Sequence, residues 1–238
     1  MQFFSFSLPS SVLALALLFT AGQASAQISA AAEAMPGQSV GQVSITNIGH
    51  QPLAPILVVT HSKSAMPIFT PGMAASMELA TLAETGNPAP LEAMVRTHAA
   101  VAYATHVTGM SGKVMPGETV TAEVVFDARH QSVSIAGMLV HTNDAFAAYQ
   151  GARIPAGYDV NSYKVHVWDA GSEANTEACE DVPGVHCEDT YDNARNMDGA
   201  EGMVLIHPGI HGMGDVPVRY DWRGPVAILK VSAHGMAR

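Results

Sequence analysis

Several stretches of the chain switch between apolar and polar at every residue. GQVSITNI (Gly41 to Ile48) and TVTAEVVF (Thr119 to Phe126) alternate in this way, the period of a strand with one buried face. In the second stretch Val120, Ala122, Val124 and Phe126 fall on one side, and Thr121, Glu123, Val125 and Asp127 on the other. PILVVT (Pro55 to Thr60) and VSIAGMLV (Val133 to Val140) are short, apolar and β-branched, and read as buried strands. VAYATHV (Val101 to Val107), Tyr163 to Trp168, Met203 to Ile206 and Pro225 to Val231 complete the strand set. Pro116-Gly117, inside MPGET, suits the central pair of a turn.

The period changes over MAASMELATLAE (Met73 to Glu84), where Met77, Ala80 and Ala83, or Met73, Met77 and Ala80, recur at helical spacing and Gly86 follows as a stop signal. This methionine stripe reads as core filling. Ala89 to Ala99 is a second short helix, with Leu91, Met94 and Val95 on one side. About eight strands separated by turns, with one or two short helices, predict a mainly β protein built as a two-sheet antiparallel sandwich.

The N-terminus does not belong to that pattern. SVLALALLFT (Ser11 to Thr20) precedes Ala24-Ser25-Ala26, a small-x-small cleavage signal, although no Lys or Arg precedes the run. Residues 1–26 therefore read as an export signal, leaving Gln27 to Arg238 as one domain, periplasmic or secreted. The run is shorter than the roughly 20 residues needed to span a bilayer. No second such run follows, so no membrane insertion of the mature chain is expected.

Charge alters the picture in one place. The chain carries a formal −10, and between Asp169 and Glu201 there are ten acidic residues against one basic residue, Arg195. An acidic chain with no basic patch is not built to bind nucleic acid by counterion release. A stretch of this length without strand or helix pattern, inside one domain, needs something to hold it. Cys179 and Cys187 are the only cysteines, and in an exported chain they read as a disulfide closing a small loop. A bound cation is a second means.

Two aspartates stand at strand ends: Asp144 in HTNDAFAAYQ and Asp169 in KVHVWDAGSE. In a sandwich the loops gather at the sheet ends, so carboxylates there can converge. Alone they repel, and one is pushed toward protonation. Calcium, which takes six to eight oxygens, relieves this. Asn143, Glu173 and carbonyls of the DAGSE turn are further oxygen donors in reach.

QSVSIAGMLVHTNDAF followed by WDAGSEANTE resembles the spondin N-terminal domain, a module of extracellular proteins. PLAPILVVTHS, LATLAETG and EGMVLIHPGIHGMGD resemble its bacterial members, so the similarity extends from about Val43 to Val231. The resemblance implies an eight-stranded C2-like sandwich that binds a divalent cation at one end. It also implies a role in adhesion or recognition of an extracellular or cell-surface ligand. It puts Asp144 and Asp169 among the ligands. The third acidic ligand of the family falls on Val125 here, with Glu123 and Asp127 two residues to either side as substitutes. Where animal members carry Trp after the first Asp, this chain has Ala145.

Two rival readings start from other residues. Eleven His and 13 Met suit copper or zinc, with His207 and His211 as the nearest pair. An enzyme is not expected, since neither H-E-x-x-H nor G-x-S-x-G occurs.

Overall fold

The computed structural model describes residues 33–64, 68–184, 187, 190–192 and 194–234. The export signal read at 1–26 lies outside them. Among the described residues nine strands, all paired antiparallel, run β1 (Ser39–Asn47), β2 (Ile56–His61), β3 (Val101–Val107), β4 (Thr119–Phe126), β5 (Ser132–Met138), β6 (Ala145–Arg153), β7 (Val160–Asp169), β8 (Leu205–Ile206) and β9 (Ala227–Ser232). Helices α1 (Met77–Thr85) and α2 (Ala89–Arg96) lie between β2 and β3.

The sheet order is β3-β2-β5-β6-β7-β9-β1-β4, with β8 beside β7. Strand β7 joins the two halves. Its first residues, Val160 to Val165, pair with β9, and its last, His166 to Asp169, pair with β6. At the other margin the Thr60 hydroxyl donates to the Val125 carbonyl at 2.6 Å, so β2 meets β4 and the sandwich is nearly a barrel.

Two apolar layers hold it. Val43, Ile45, Ile56, Val58, Val120, Val124, Ile135, Val167 and Leu229 meet between the sheets. Leu57, Val59, Ala136, Phe146 and Ala148 face outward and are covered by Leu79, Leu82, Leu91 and Val95 of the helices. Strand β2 contributes to both layers, which is why PILVVT is apolar without alternation. Burying each large side chain of this kind contributes about 1.5–3 kcal/mol.

Helix α1 and strand β6 differ from the sequence reading. Helix α1 starts later than Met73, because Ser76 caps it through the Leu79 N–H at 3.2 Å. Residues 72 and 73 are instead tied to Val204, Gly72 N–H donating to its carbonyl and Val204 N–H to that of Met73, both at 2.8 Å. Met73 and Met77 are consequently exposed, and the inward face is Leu79, Ala80, Leu82 and Ala83. Strand β6 was not legible at all. Among the described residues, no helix is long and apolar enough to cross a membrane.

From Ala170 to Val204 the chain makes neither strand nor helix among the described residues. The expected disulfide is present, with the Cα atoms of Cys179 and Cys187 4.8 Å apart. It sits in a small apolar cluster with Val182, Ile210 and Val216.

Candidate functional site

Asp144 immediately precedes β6, and Ala145 pairs with Asp169, the last residue of β7. The two aspartates thus sit at one end of adjacent strands. The turn leading to Asp144 is closed by Thr142, whose hydroxyl donates to the Leu139 carbonyl at 2.7 Å and accepts from the Ala145 N–H at 3.2 Å.

Both carboxyl groups are buried and engaged by the DAGSE turn. Asp144 Oδ2 accepts from the N–H groups of Ser172 (2.7 Å) and Glu173 (3.0 Å) and from the Ser172 hydroxyl (3.2 Å). Asp169 Oδ1 accepts from the Gly171 N–H at 2.7 Å, and its Oδ2 from the Asn175 side-chain amide at 2.6 Å. Gly171 has φ 64°, and a Cβ there would strike the Met203 backbone, so the turn needs glycine.

Asp144 Oδ1 is the exception. It is fully buried and accepts no hydrogen bond. Burial, then the neighbouring charge of Asp169, pushes the Asp144 carboxyl up to about 7. Burial also raises Asp169, against the hydrogen bonds from Asn175, from the Gly171 N–H and from the side chain of Asp144, which can donate when protonated. The Glu173 carboxyl rises to about 8, through burial and the charges of Glu84, Asp144 and Asp181. Buried negative charge short of donors is the electrostatic signature of a place that favours a cation.

The surrounding loops are locked by side chains from distant segments. Glu177, at φ 55°, accepts from three successive backbone N–H groups: His211, Gly212 (2.8 Å) and Met213 (3.0 Å). Its own N–H donates to Asn143 Oδ1 at 3.2 Å. Arg195 pairs with Glu84 of α1 at 2.8 Å, clamping the acidic segment to the helix. Beside Asp169 opens a cleft of about 530 Å³, bordered by Asn175, Glu201, Ile206 and His211.

The structure does not bring Glu123 or Asp127 to this end. Gln42 links Glu123 on one side to Ser232 on the other, and Ser232 pairs with Val160, the first residue of β7. Glu123 therefore lies level with the start of β7, whereas Asp169 is its last residue, roughly 30 Å along at 3.3 Å per residue. Asp127 lies farther out and closes its own turn, accepting from the N–H groups of Arg129 (2.7 Å) and His130 (3.0 Å). Its carboxyl is held low, first by the His130 ring. Among the described residues, no group of three or more His, Cys, Asp or Glu is placed to hold a metal ion. A cation at Asp144 and Asp169 would take its other ligands from carbonyl and water oxygens.

The histidine pair does not form a metal box either. His207 Nδ1 accepts from the Gly209 N–H at 3.1 Å, so Nε2 carries the proton and donates to Asn175 Oδ1 at 3.0 Å. Burial holds its pKa down at about 4, which keeps the ring neutral. His207 thus positions Asn175, which in turn holds Asp169. His211 faces Glu177 at 3.8 Å. Glu84, Asn175, Glu177 and Arg195 were not singled out from sequence. Only Asn175, six residues after Asp169, stands close enough along the chain to have drawn notice.

The chain matches no model of a known protein family and no curated protein.

Proposed function

We propose that the chain is an exported β-sandwich that binds calcium at Asp144 and Asp169 and presents the surrounding loops to an extracellular or cell-surface ligand, without catalysis. One observation carries this reading: Asp144 Oδ1, a buried carboxylate oxygen without a donor, beside a second buried carboxyl. Calcium accepts carboxylates mixed with carbonyls and waters, which suits a site with only two acidic side chains. When bound, the ion neutralises both groups. Asp144 and Asp169 hold it, while Asn175 and the N–H groups of residues 171–173 keep their orientation.

The resemblance of the ND-x-F strand end and the DAGSE turn to the spondin N-terminal domain supports the same reading, as do the apolar N-terminal run and the disulfide. A copper or zinc site at His207 and His211 has less support, since both His207 nitrogens are already used within the protein.

The test is a calorimetric titration with calcium up to millimolar concentration, the range of weak extracellular sites at about 10⁻⁴ to 10⁻³ M. Saturable binding that disappears in Asp144→Asn and Asp169→Asn is expected. Binding that survives both changes, or no binding at all, refutes the site.

A further inference from the structure

Of the ten methionines among the described residues, nine are exposed, with accessibilities from 37% at Met94 to 76% at Met213, and one, Met138, is buried. Leucine behaves in the opposite way. Of eight described leucines, seven are buried and Leu205 alone is exposed. Both residues normally fill cores, and they replace one another there at small cost. Polarity and volume therefore do not explain why this fold takes leucine in and turns methionine out. The property that separates them is the thioether sulfur.

A thioether can ligate a soft metal, lend plasticity to a docking face, or be oxidised. The first two need the side chains to gather in one place. These are spread over several: Met110 and Met115 are neighbours through the Glu118 carboxylate that both N–H groups reach, Met73 and Met203 are brought near one another where Gly72 and Met73 bond Val204, and the rest lie on other segments. Met35 precedes β1, Met94 lies on α2, and Met110 and Met115 flank the turn before β4. Met73 and Met77 stand at the start of α1, and Met197, Met203 and Met213 lie in the segments between β7 and β9. Oxidation needs access alone. Cys179 and Cys187 form the disulfide, so among the described residues no free thiol competes for oxidant.

We infer that the exposed methionines are an oxidant sink, taking up hypohalous acid while the fold stays intact. In each event the thioether sulfur takes the oxygen of hypochlorous acid. An S–O bond forms, the O–Cl bond breaks, and chloride and a proton leave. Sulfur loses two electrons and chlorine gains them. The sulfoxide oxygen points into water at these positions, so no apolar contact of the core is lost. Met138, packed with Ala54 and Val140, is shielded. The sulfoxides remain substrates for methionine sulfoxide reductases, which makes the sink renewable.

The experiment is a titration of the purified chain with hypochlorous acid, read by peptide mass mapping and by the melting transition, with a bystander enzyme in the same tube. The nine exposed methionines are expected to gain one oxygen each before Met138 does, with the melting transition retained. At equimolar chain, the nine exposed methionines of the described residues are expected to raise the oxidant needed to inactivate the bystander by about nine equivalents, one per thioether. A chain with all nine changed to Leu is expected to lose that protection. Should it fail to fold, Met94→Leu, Met110→Leu and Met115→Leu together are expected to remove about a third of it. Oxidation of Met138 alongside the others, loss of the melting transition before the nine are modified, or equal protection by the variants overturns the inference.

Discussion

Replacing Asp144 by Asn is expected to stabilise the calcium-free protein at neutral and alkaline pH, although it removes a buried, hydrogen-bonded carboxylate. The side-chain oxygen of Asn can still accept from Ser172 and Glu173, as Asp144 Oδ2 does. What disappears is the charge beside Asp169. Asp144 titrates at about 7 in the fold against 3.8 when free. A carboxyl whose folded pKa is raised contributes its full stability below about pH 4, and that contribution is lost as pH rises through about 7. A rise of about three pKa units corresponds to roughly 4 kcal/mol, a large share of the 5–15 kcal/mol typical of a domain. At about 2–4 °C per kcal/mol for a chain of this size, this contribution alone should lower the melting temperature in chelator by roughly 8–16 °C between pH 4 and pH 8. Glu173, raised to about 8, acts in the same direction and extends the fall, whereas His207, lowered from 6.5 to about 4, acts against it between those two values. Calcium binds the charged form, so 1 mM calcium at a Kd of about 10⁻⁴ to 10⁻³ M should stabilise by about 0.4–1.4 kcal/mol at pH 8, raising the melting temperature by roughly 1–6 °C, and do nothing at pH 4. In Asp144→Asn the Asp144 share of the fall should disappear while that of Glu173 stays, and the calcium effect should vanish. Thermal melts from pH 4 to 8, in chelator and in calcium, read all four quantities. A parent whose calcium-free melting temperature falls no more steeply over this range than that of Asp144→Asn would refute the electrostatic reasoning.

Other consequences follow from the neighbouring contacts. Glu177→Gln leaves one carbonyl oxygen and an amide where a carboxylate met three N–H groups, and should cost about 2–4 kcal/mol in denaturant unfolding. Glu123→Gln and Asp127→Asn should leave calcium affinity unchanged in calorimetry, since both lie at the far end of the sandwich. Cys179→Ser with Cys187→Ser opens a loop of sequence separation 8. It should cost about 2–3 kcal/mol, the chain entropy released in the unfolded state, seen as a lower melting temperature.

Strands with unlike faces were visible in the chain because alternation survives whatever packs on either side: β4 was delimited to its ends. Strand β6 was hidden because AFAAYQGAR is rich in alanine, a weak strand former, and its first four residues are buried on both faces. The methionines at the start of α1 misled because helical spacing defines a stripe without saying which way it turns. That was decided by Ser76 at the N-cap and by Leu79 and Leu82 beneath.

Asp144 and Asp169 were legible as a pair because each stands where an apolar run meets a turn. Glu123 and Asp127 were drawn in by their side of β4, but side and end are different properties. Strand β4 begins level with the middle of β7 and runs away from Asp169, a fact of register that alternation does not carry. The supports of the site, Glu84, Glu177, Arg195 and His207, act across separations that no local pattern records.

The most direct measurement is the anomalous diffraction of crystals grown in millimolar calcium. A single peak is expected within about 2.3–2.6 Å of Asp144 Oδ1 and an Asp169 oxygen, completed by carbonyls and waters. A peak at Glu123 or Asp127 instead, or none anywhere near Asp144, would contradict the assignment of this end of the sandwich as a calcium site.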